Sequence, residues 1–358
     1  MHGKINRGPQ LLLLILAFYP RLISGQSFSD QTTTAGINFT HIGGGKEKAH
    51  ILEAHGSGAT FFDADSDGDL DLYFVNGSTF SNYGKGSPNN YYQNKNGIYF
   101  DDTKTSGLGD REWGAGVAIA DVDADGNLDV YVSNFGSNVM YFNMGDGIFN
   151  SRNSGSEGYD FSASSAFFDY DLDGDLDLFV TNYVNPEIDI ASGEFPPWDP
   201  CIYLGGLRVF CGPVGLPEGE DRFYENDGKG AFTDITIESG VSEANSSYGL
   251  GVVPADFDSD GDVDLFVAND ERANALWQNN GDGTLSNIAL ASGTAFNVDG
   301  EEESGMGTDV GDYDGDGDED IFVTNFYSET NTLYRNDGNL VFVDATTISG
   351  LAAPSVEY

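Results

Sequence analysis

Asp63-Ala64-Asp65-Ser66-Asp67-Gly68-Asp69-Leu70-Asp71, followed by the apolar run Leu72-Tyr73-Phe74-Val75 and by Asn76, decides the fold because the chain writes it five times. It returns as Asp121-Val122-Asp123-Ala124-Asp125-Gly126-Asn127-Leu128-Asp129 and as Asp169-Tyr170-Asp171-Leu172-Asp173-Gly174-Asp175-Leu176-Asp177. Two further copies are Asp256-Phe257-Asp258-Ser259-Asp260-Gly261-Asp262-Val263-Asp264 and Asp312-Tyr313-Asp314-Gly315-Asp316-Gly317-Asp318-Glu319-Asp320. The first aspartates stand 58, 48, 87 and 56 residues apart. The long step holds a cysteine-bearing insertion at about 184–222, so the underlying period is about 50–58.

The surroundings repeat as well. An asparagine stands five residues past each last aspartate (Asn76, Asn134, Asn182, Asn269, Asn325), and the apolar run between them reads as a strand buried on both faces. Before the motif comes Gly-x-Gly (Gly56/Gly58, Gly114/Gly116, Gly249/Gly251, Gly305/Gly307), replaced in the third copy by Ser162 and Ser164, and it leads into another short β-type run. After the motif, clusters such as Asn143-Met144-Gly145-Asp146-Gly147 and Asn226-Asp227-Gly228 supply the positive-φ positions of a tight hairpin. Each unit therefore has four strands, and four antiparallel strands at this period predict an all-β fold, a β-propeller of at least five blades. An EF-hand is excluded. It needs flanking helices and an acidic ligand at position 12, where this chain has Phe74, Val132, Val180, Val267 and Val323.

The motif also predicts metal. Carboxylates at positions 1, 3, 5 and 9 are brought together by the glycine at position 6, and like charges at about 4 Å repel by about 4 kcal/mol per pair at an effective dielectric near 20. A hard divalent cation with oxygen ligands relieves this, and Ca2+ suits the set because it takes six to eight oxygens in flexible geometry. The residue at position 7 (Asp69, Asn127, Asp175, Asp262, Asp318) would contribute its main-chain carbonyl, with its side chain exposed or outside the ligand set. Extracellular calcium sites bind at roughly 0.1–1 mM, so each would add about 0.5–1.5 kcal/mol to folding at millimolar calcium. One ion per repeat, five in all, makes these ions structural staples between strands rather than catalytic centres.

The 358 residues carry 15 Lys+Arg against 59 Asp+Glu, a net charge of −44, which excludes a nucleic-acid binder or a lipid anchor acting through a basic surface. Such acidity would suit a disordered chain, but 39% apolar residues with 25 Phe and 18 Tyr supply a core. At the N-terminus, Lys4 and Arg7 precede the apolar run Leu11–Phe18 and the small residues Ser24-Gly25, so 1–25 reads as a signal peptide and 26–358 as an exported propeller domain. No other stretch approaches the length of a membrane span. In an oxidising compartment the two cysteines, Cys201 and Cys211, are expected to pair.

No convincing catalytic set emerges. His2 leaves with the leader, His41 is isolated, and His50-Ile51-Leu52-Glu53-Ala54-His55 has the wrong spacing for a zinc protease. Gly43-Gly44-Gly45-Lys46 lacks the spacing and hydroxyl of a phosphate-cradling loop. The expectation is a non-enzymatic binding or adhesion module for an extracellular protein or glycan. The competing class is a secreted carbohydrate-active lyase or hydrolase on the same scaffold, to be judged by whether His50, His55 or a carboxylate outside the metal loops lines the central pocket beside an Arg or Tyr.

The five acidic loops with their Leu-Asp-Leu-Phe-Val-type strands resemble FG-GAP/VCBS repeats of integrin-α-type propellers. Gly36-Ile37-Asn38-Phe39-Thr40-His41, Gly56-Ser57-Gly58-Ala59-Thr60-Phe61-Phe62-Asp63 and the Cys211-Gly212-Pro213 insertion are similar to the cartilage-acidic-protein-like, ASPIC/UnbV-associated group. The resemblance spans about 36–351 and implies a calcium-binding, extracytoplasmic propeller with interaction or adhesion roles and no established catalytic set. The chain departs from that group in lacking the C-terminal ASPIC/UnbV region. Ser349-Gly350-Leu351 repeats Ser106-Gly107-Leu108, so a partial sixth repeat is expected from about 349, its next aspartate falling beyond Tyr358. Either the chain is a fragment, or a strand at Ile37–Thr40 completes the ring.

Overall fold

A computed structural model describes residues 28–46, 48, 50–185, 201–203, 206–244 and 247–355. The signal-peptide reading and the Pro-rich segment around Pro196 fall outside the described residues. The motif aspartate at position 9 opens the second strand of every blade, and the residue facing it ends the first: Phe62 opposite Asp71, Ala120 opposite Asp129, Phe168 opposite Asp177, Ala255 opposite Asp264 and Gly311 opposite Asp320. Each acidic loop is thus the connection between a first and a second strand.

Five antiparallel blades result. The first runs Ala59–Phe62, Asp71–Phe74, Asn90–Lys95, Ile98–Asp101, and the second Trp113–Ala120, Asp129–Phe135, Val139–Asn143, Phe149–Ser151. The third comprises Ser162–Phe168, Asp177–Asn182, Arg222–Asn226 and Phe232–Asp234. The fourth is Gly249–Ala255, Asp264–Arg272, Ala275–Asn279, Leu285–Asn287, and the fifth Glu303–Gly311, Asp320–Asn325, Thr332–Asn336, Phe342–Asp344. The last two are stitched into one sheet where Asp270 pairs with Ser304 and Arg272 with Glu303.

The core lies between blades. Second strands carry apolar side chains on both faces, such as Tyr131 and Val132 or Leu265 and Phe266, and these are fully buried. Phe62, Tyr73 and Tyr91 of the first blade pack on Val130, Val132 and Tyr141 of the second, and equivalent layers join each later pair. At the end away from the acidic loops, Trp113, Phe135, Phe161, Tyr183 and Tyr248 form a separate aromatic cluster.

The Gly-x-Gly segments mark where first strands meet around the axis. A Cβ on Gly116 would stand 2.5 Å from the Ala163 carbonyl oxygen and one on Gly251 2.9 Å from that of Met306, so only glycine permits the approach. Ladder register slips at Gly114/Gly116 and at Gly249/Gly251, which is the bulge a glycine pair in a strand announces.

Neighbouring blades are also joined by polar contacts the sequence reading did not anticipate. Asn143, Asn226, Asn279 and Asn336 end the third strands, and each donates Nδ2–H to the position-2 carbonyl of the preceding acidic loop: Ala64, Val122, Tyr170 and Phe257, at 2.7–2.8 Å. Asn226 also donates to Leu176 O at 3.0 Å and accepts from Gly230 N–H at 3.2 Å. Removing it leaves buried backbone groups unpaired, so Asn226→Ala should lose about 2 kcal/mol in urea unfolding. A loss under a few tenths would show that these bonds do not hold the blades together.

The insertion falls between the second and third strands of the third blade. Its short hairpin, Cys201–Tyr203 against Leu207–Val209, is closed by the Cys201–Cys211 disulfide with Cα atoms 5.1 Å apart. Of the two alternatives for the ring, the strand at Ile37–Thr40 does not form. That segment lies against the first blade instead: Phe39 stacks on Phe74 at 4.5 Å and Tyr92 O–H donates to Asn38 Oδ1 at 2.7 Å.

Candidate metal centres and the cavity at the opposite end

Each acidic loop closes on its own backbone. The position-1 carboxylate accepts the position-6 glycine N–H, at 2.9–3.1 Å from Asp63, Asp121, Asp169, Asp256 and Asp312. The position-5 carboxylate accepts the position-7 N–H, as in Asp69 N to Asp67 Oδ1 at 2.8 Å. Position 6 has φ between 90° and 100° in all five copies, which selects glycine. Position 4 is left-handed too, with φ 58° at Ser66, 55° at Ala124, 60° at Leu172, 59° at Ser259 and 81° at Gly315.

These turns bring carboxylates together. Oxygens of Asp63, Asp65 and Asp67 lie within 4.8 Å of one another, as do those of Asp256, Asp258 and Asp260 and of Asp312, Asp314 and Asp316. In the second and third loops the converging sets are Asp121, Asp123, Asp129 and Asp169, Asp171, Asp177, with Asp125 and Asp173 outside them. Three carboxylate oxygens, Asp65 Oδ1, Asp123 Oδ1 and Asp169 Oδ1, are buried with no hydrogen-bond partner. Acceptors buried inside an acidic cluster without a donor are costly, and a metal ion at the centre of those three sets would satisfy them. The residues present therefore fit a metal ion.

The position-9 aspartates are differently placed. Asp71, Asp129, Asp177, Asp264 and Asp320 are all buried. One oxygen accepts the position-2 N–H of the same loop, as from Val122 to Asp129 at 3.0 Å, and the other accepts an N–H from the third strand, as from Asn143 at 2.8 Å. They tie the loop to the sheet, and only Asp129 and Asp177 also join the converging oxygen sets. Burial pushes Asp129 up to about 6, and Asp177 and Asp264 up to about 7, with the neighbouring loop aspartates pushing further and the backbone N–H bonds opposing. Position-7 side chains turn toward the outer hairpin, where Asp69 Oδ2 accepts Asn96 N–H at 2.9 Å.

The other end of the propeller holds a cavity of about 590 Å³. It opens where first strands begin and second strands end, so a full strand length separates it from the acidic loops. Leu250 and Met306 come from first strands, Tyr183, Asp270 and Glu271 from the ends of second strands, and Phe210 from the disulfide-closed insertion. His55 lines it as well, its ring edge-on to Phe161 at 4.7 Å and to Tyr183 at 4.5 Å. Burial holds the imidazole down to about 4, so it is neutral at pH 7. Tyr183 O–H donates to Asp270 Oδ2 at 2.6 Å, and burial, opposed by that bond, pushes Asp270 up to about 6. His55 and carboxylates outside the metal loops do share this cavity with a tyrosine, whereas His50 does not line it. The sequence carried no sign of Tyr183, Asp270 and Glu271, which follow directly on the asparagines Asn182 and Asn269.

FG-GAP-like repeats match residues 63–132, 121–180, 209–267, 256–323 and 312–356, more than half of the chain. The chain belongs to the FG-GAP-like repeat family. Three of the FG-GAP-like matches, 63–132, 121–180 and 256–323, start at an acidic loop and run past the next one. The chain is 33% identical to cartilage acidic protein 1 of Homo sapiens over 96 residues, which is 27% of this chain and 14% of that protein. It is 34% identical to the Xenopus tropicalis protein of the same name over 77 residues, 19% of this chain and 12% of that one. The match thus spans about one seventh or less of these relatives. Among solved structures, the V. cholerae biofilm matrix protein Bap1 aligns at TM-score 0.42 and 14% identity, over 80% of this chain and 38% of that one. An Agrocybe aegerita lectin that recognises non-reducing terminal N-acetylglucosamine aligns at TM-score 0.36 and 17% identity, over 81% and 79%.

Proposed function

We propose that the protein is an exported, calcium-stabilised propeller that serves as a binding or adhesion module for an extracellular protein or glycan. The observation that carries this reading is the separation of two sites: acidic loops with orphaned, buried oxygens at one end, and a preformed aromatic cavity at the other. Ions a strand length from the cavity brace the blades and do not touch what binds there. Calcium rather than magnesium fits loops offering several carboxylates and main-chain carbonyls on an adjustable turn. The disulfide suits an oxidising compartment. Among the described residues no helix is long and apolar enough to cross a membrane. Titration calorimetry tests the metal assignment: about five Ca2+ per chain are expected, with Mg2+ at least about tenfold weaker. Equal binding of the two ions would overturn it.

A second reading, a lyase or hydrolase acting on carbohydrate, draws on His55, Tyr183 and Asp270 sharing one cavity. The binding reading is preferred because the Tyr183 O–H is already donated in a hydrogen bond to Asp270, and among the described residues His55 shows ring contacts and no side-chain hydrogen bond, so no relay links an acid to a base. Incubation with polysaccharide panels should release no new reducing or unsaturated ends. Turnover that Tyr183→Phe abolishes would replace the binding reading with the enzymatic one.

A further inference from the structure

The cavity is rich in hydrogen-bond acceptors and poor in donors. Asp270 and Glu271 are consecutive residues of one strand, so their side chains should point to opposite faces. The ladder slips between Asp270 and Arg272, Glu271 takes a left-handed φ of 52°, and both side chains line the cavity. A strained non-glycine bulge that re-aims a carboxylate is the kind of local cost that binding sites retain. Glu329 adds negative potential close enough to Asp270 to oppose its ionisation.

Among the described residues no Lys or Arg lines the cavity to answer that charge, and the neighbouring Arg272 is engaged, donating to Glu218 at 2.7 Å and lying over the Tyr248 ring at 5.0 Å. The side-chain donors are the Tyr183 hydroxyl, committed to Asp270, one N–H of neutral His55 and the Tyr327 hydroxyl, against the carboxylates of Asp270 and Glu271. A sugar needs donors and acceptors in comparable number, and an anion needs donors throughout. A metal ion needs converging oxygens, and among the described residues only the five acidic loops bring three ligating groups within 4.8 Å. The aromatic rings of Phe210, Phe326, Tyr327 and Tyr183, with Met306, give apolar walls whose π-faces attract positive charge. Phe326 and Tyr327 stay 50% and 61% exposed, an aromatic pair in the wall that remains open to a ligand. About 590 Å³ is far more than a bare ammonium fills and falls in the range that holds a small organic molecule.

We infer that this cavity binds an organic cation, an ammonium group carried on an apolar body, with Asp270 and Glu271 as counter-ions and the aromatic walls taking the apolar part. The inference rests on the binding-module reading and supplies its ligand class. The net charge of −44 favours the encounter by drawing cations toward the surface.

The test is calorimetric titration of the calcium-saturated full chain with 2-phenylethylammonium, using uncharged 2-phenylethanol and methyl glucoside as controls. One site per chain is expected, with the ammonium bound about tenfold more tightly than the alcohol, weakening as ionic strength rises. Glu271→Gln and Asp270→Asn should each weaken the ammonium about fivefold or more and leave the alcohol unchanged. Because Glu271 is exposed and outside the core, Glu271→Gln keeps the test clean if Asp270→Asn perturbs the Tyr183 contact. Equal affinity for ammonium and alcohol, no ammonium binding by protein with an intact melting transition, or an unaffected Glu271→Gln variant overturns the inference. Methyl glucoside binding in place of the ammonium overturns the cation assignment and leaves the module standing, whereas polysaccharide turnover overturns the module itself.

Discussion

Stripping divalent ions with excess chelator should lower the melting temperature by about 10 °C, and added Ca2+ should restore it where Mg2+ does not. With calcium bound as proposed, each loop would contribute about 0.5–1.5 kcal/mol at millimolar calcium, so five together would approach the net stability of an ordinary domain. The loss has two parts. The turn loses its central ligand, and Asp65, Asp123 and Asp169 each keep a buried oxygen with no partner among like charges. The effect should spread beyond the loops, because the position-2 carbonyls of Ala64, Val122, Tyr170 and Phe257 receive the asparagine bonds from the next blade. A loop that relaxes without its ion moves that carbonyl, so chelation should raise amide exchange in the third strands as well as in the loops. Scanning calorimetry and hydrogen exchange check both parts. A melting temperature unmoved by chelator would mean that backbone N–H bonds alone hold the acidic loops, and the calcium account would fail.

What the sequence made legible follows from how local each signal is. The acidic motif, its glycine and the apolar run after it are contiguous, and they were enough to place first strand, loop and second strand in five blades. The left-handed position 4 was invisible because only Gly315 advertises it, while Ser66, Ala124, Leu172 and Ser259 are forced there by the N–H bonds that close the loop. Asn143 and Asn226 were read as turn formers, but their second role, shared by Asn279 and Asn336, depends on a carbonyl 79–109 residues earlier in the chain. The cavity was harder still. Its lining comes from segments between Ile51 and Tyr327, and the bulge that turns Glu271 inward leaves no mark in Asn269-Asp270-Glu271-Arg272. Ile37–Thr40 stayed an open alternative because a short alternating run reads the same whether it pairs in a sheet or merely rests an aromatic ring on one.

Asp221→Asn should stabilise the protein by about 3 kcal/mol at pH 8 and by almost nothing near pH 4. In four blades the loop between second and third strands is held by an asparagine whose Oδ1 accepts a second-strand N–H: Asn89 from Asn76, Asn138 from Asn134, Asn274 from Asn269 and Asn331 from Asn325, at 2.6–3.1 Å. In the third blade that place is taken by Asp221, which accepts from Asn182 at 2.9 Å and is buried. Burial pushes its carboxyl up to about 7 from 3.8; Glu220 adds to the rise, while the Asn182 bond and Arg222 oppose it. A raised carboxylate contributes fully below its unfolded value and loses that contribution as pH climbs through the folded one. The penalty therefore develops between about pH 4 and pH 7 and is complete above it. Asparagine keeps the accepting oxygen and carries no charge, so the variant should match the wild type in acid and exceed it in base. Because acid also weakens calcium binding, the two proteins are compared at the same pH by urea unfolding, and the difference isolates residue 221. A stability difference that does not change with pH would show that Asp221 is neutralised by a partner, and that burial does not govern its ionisation.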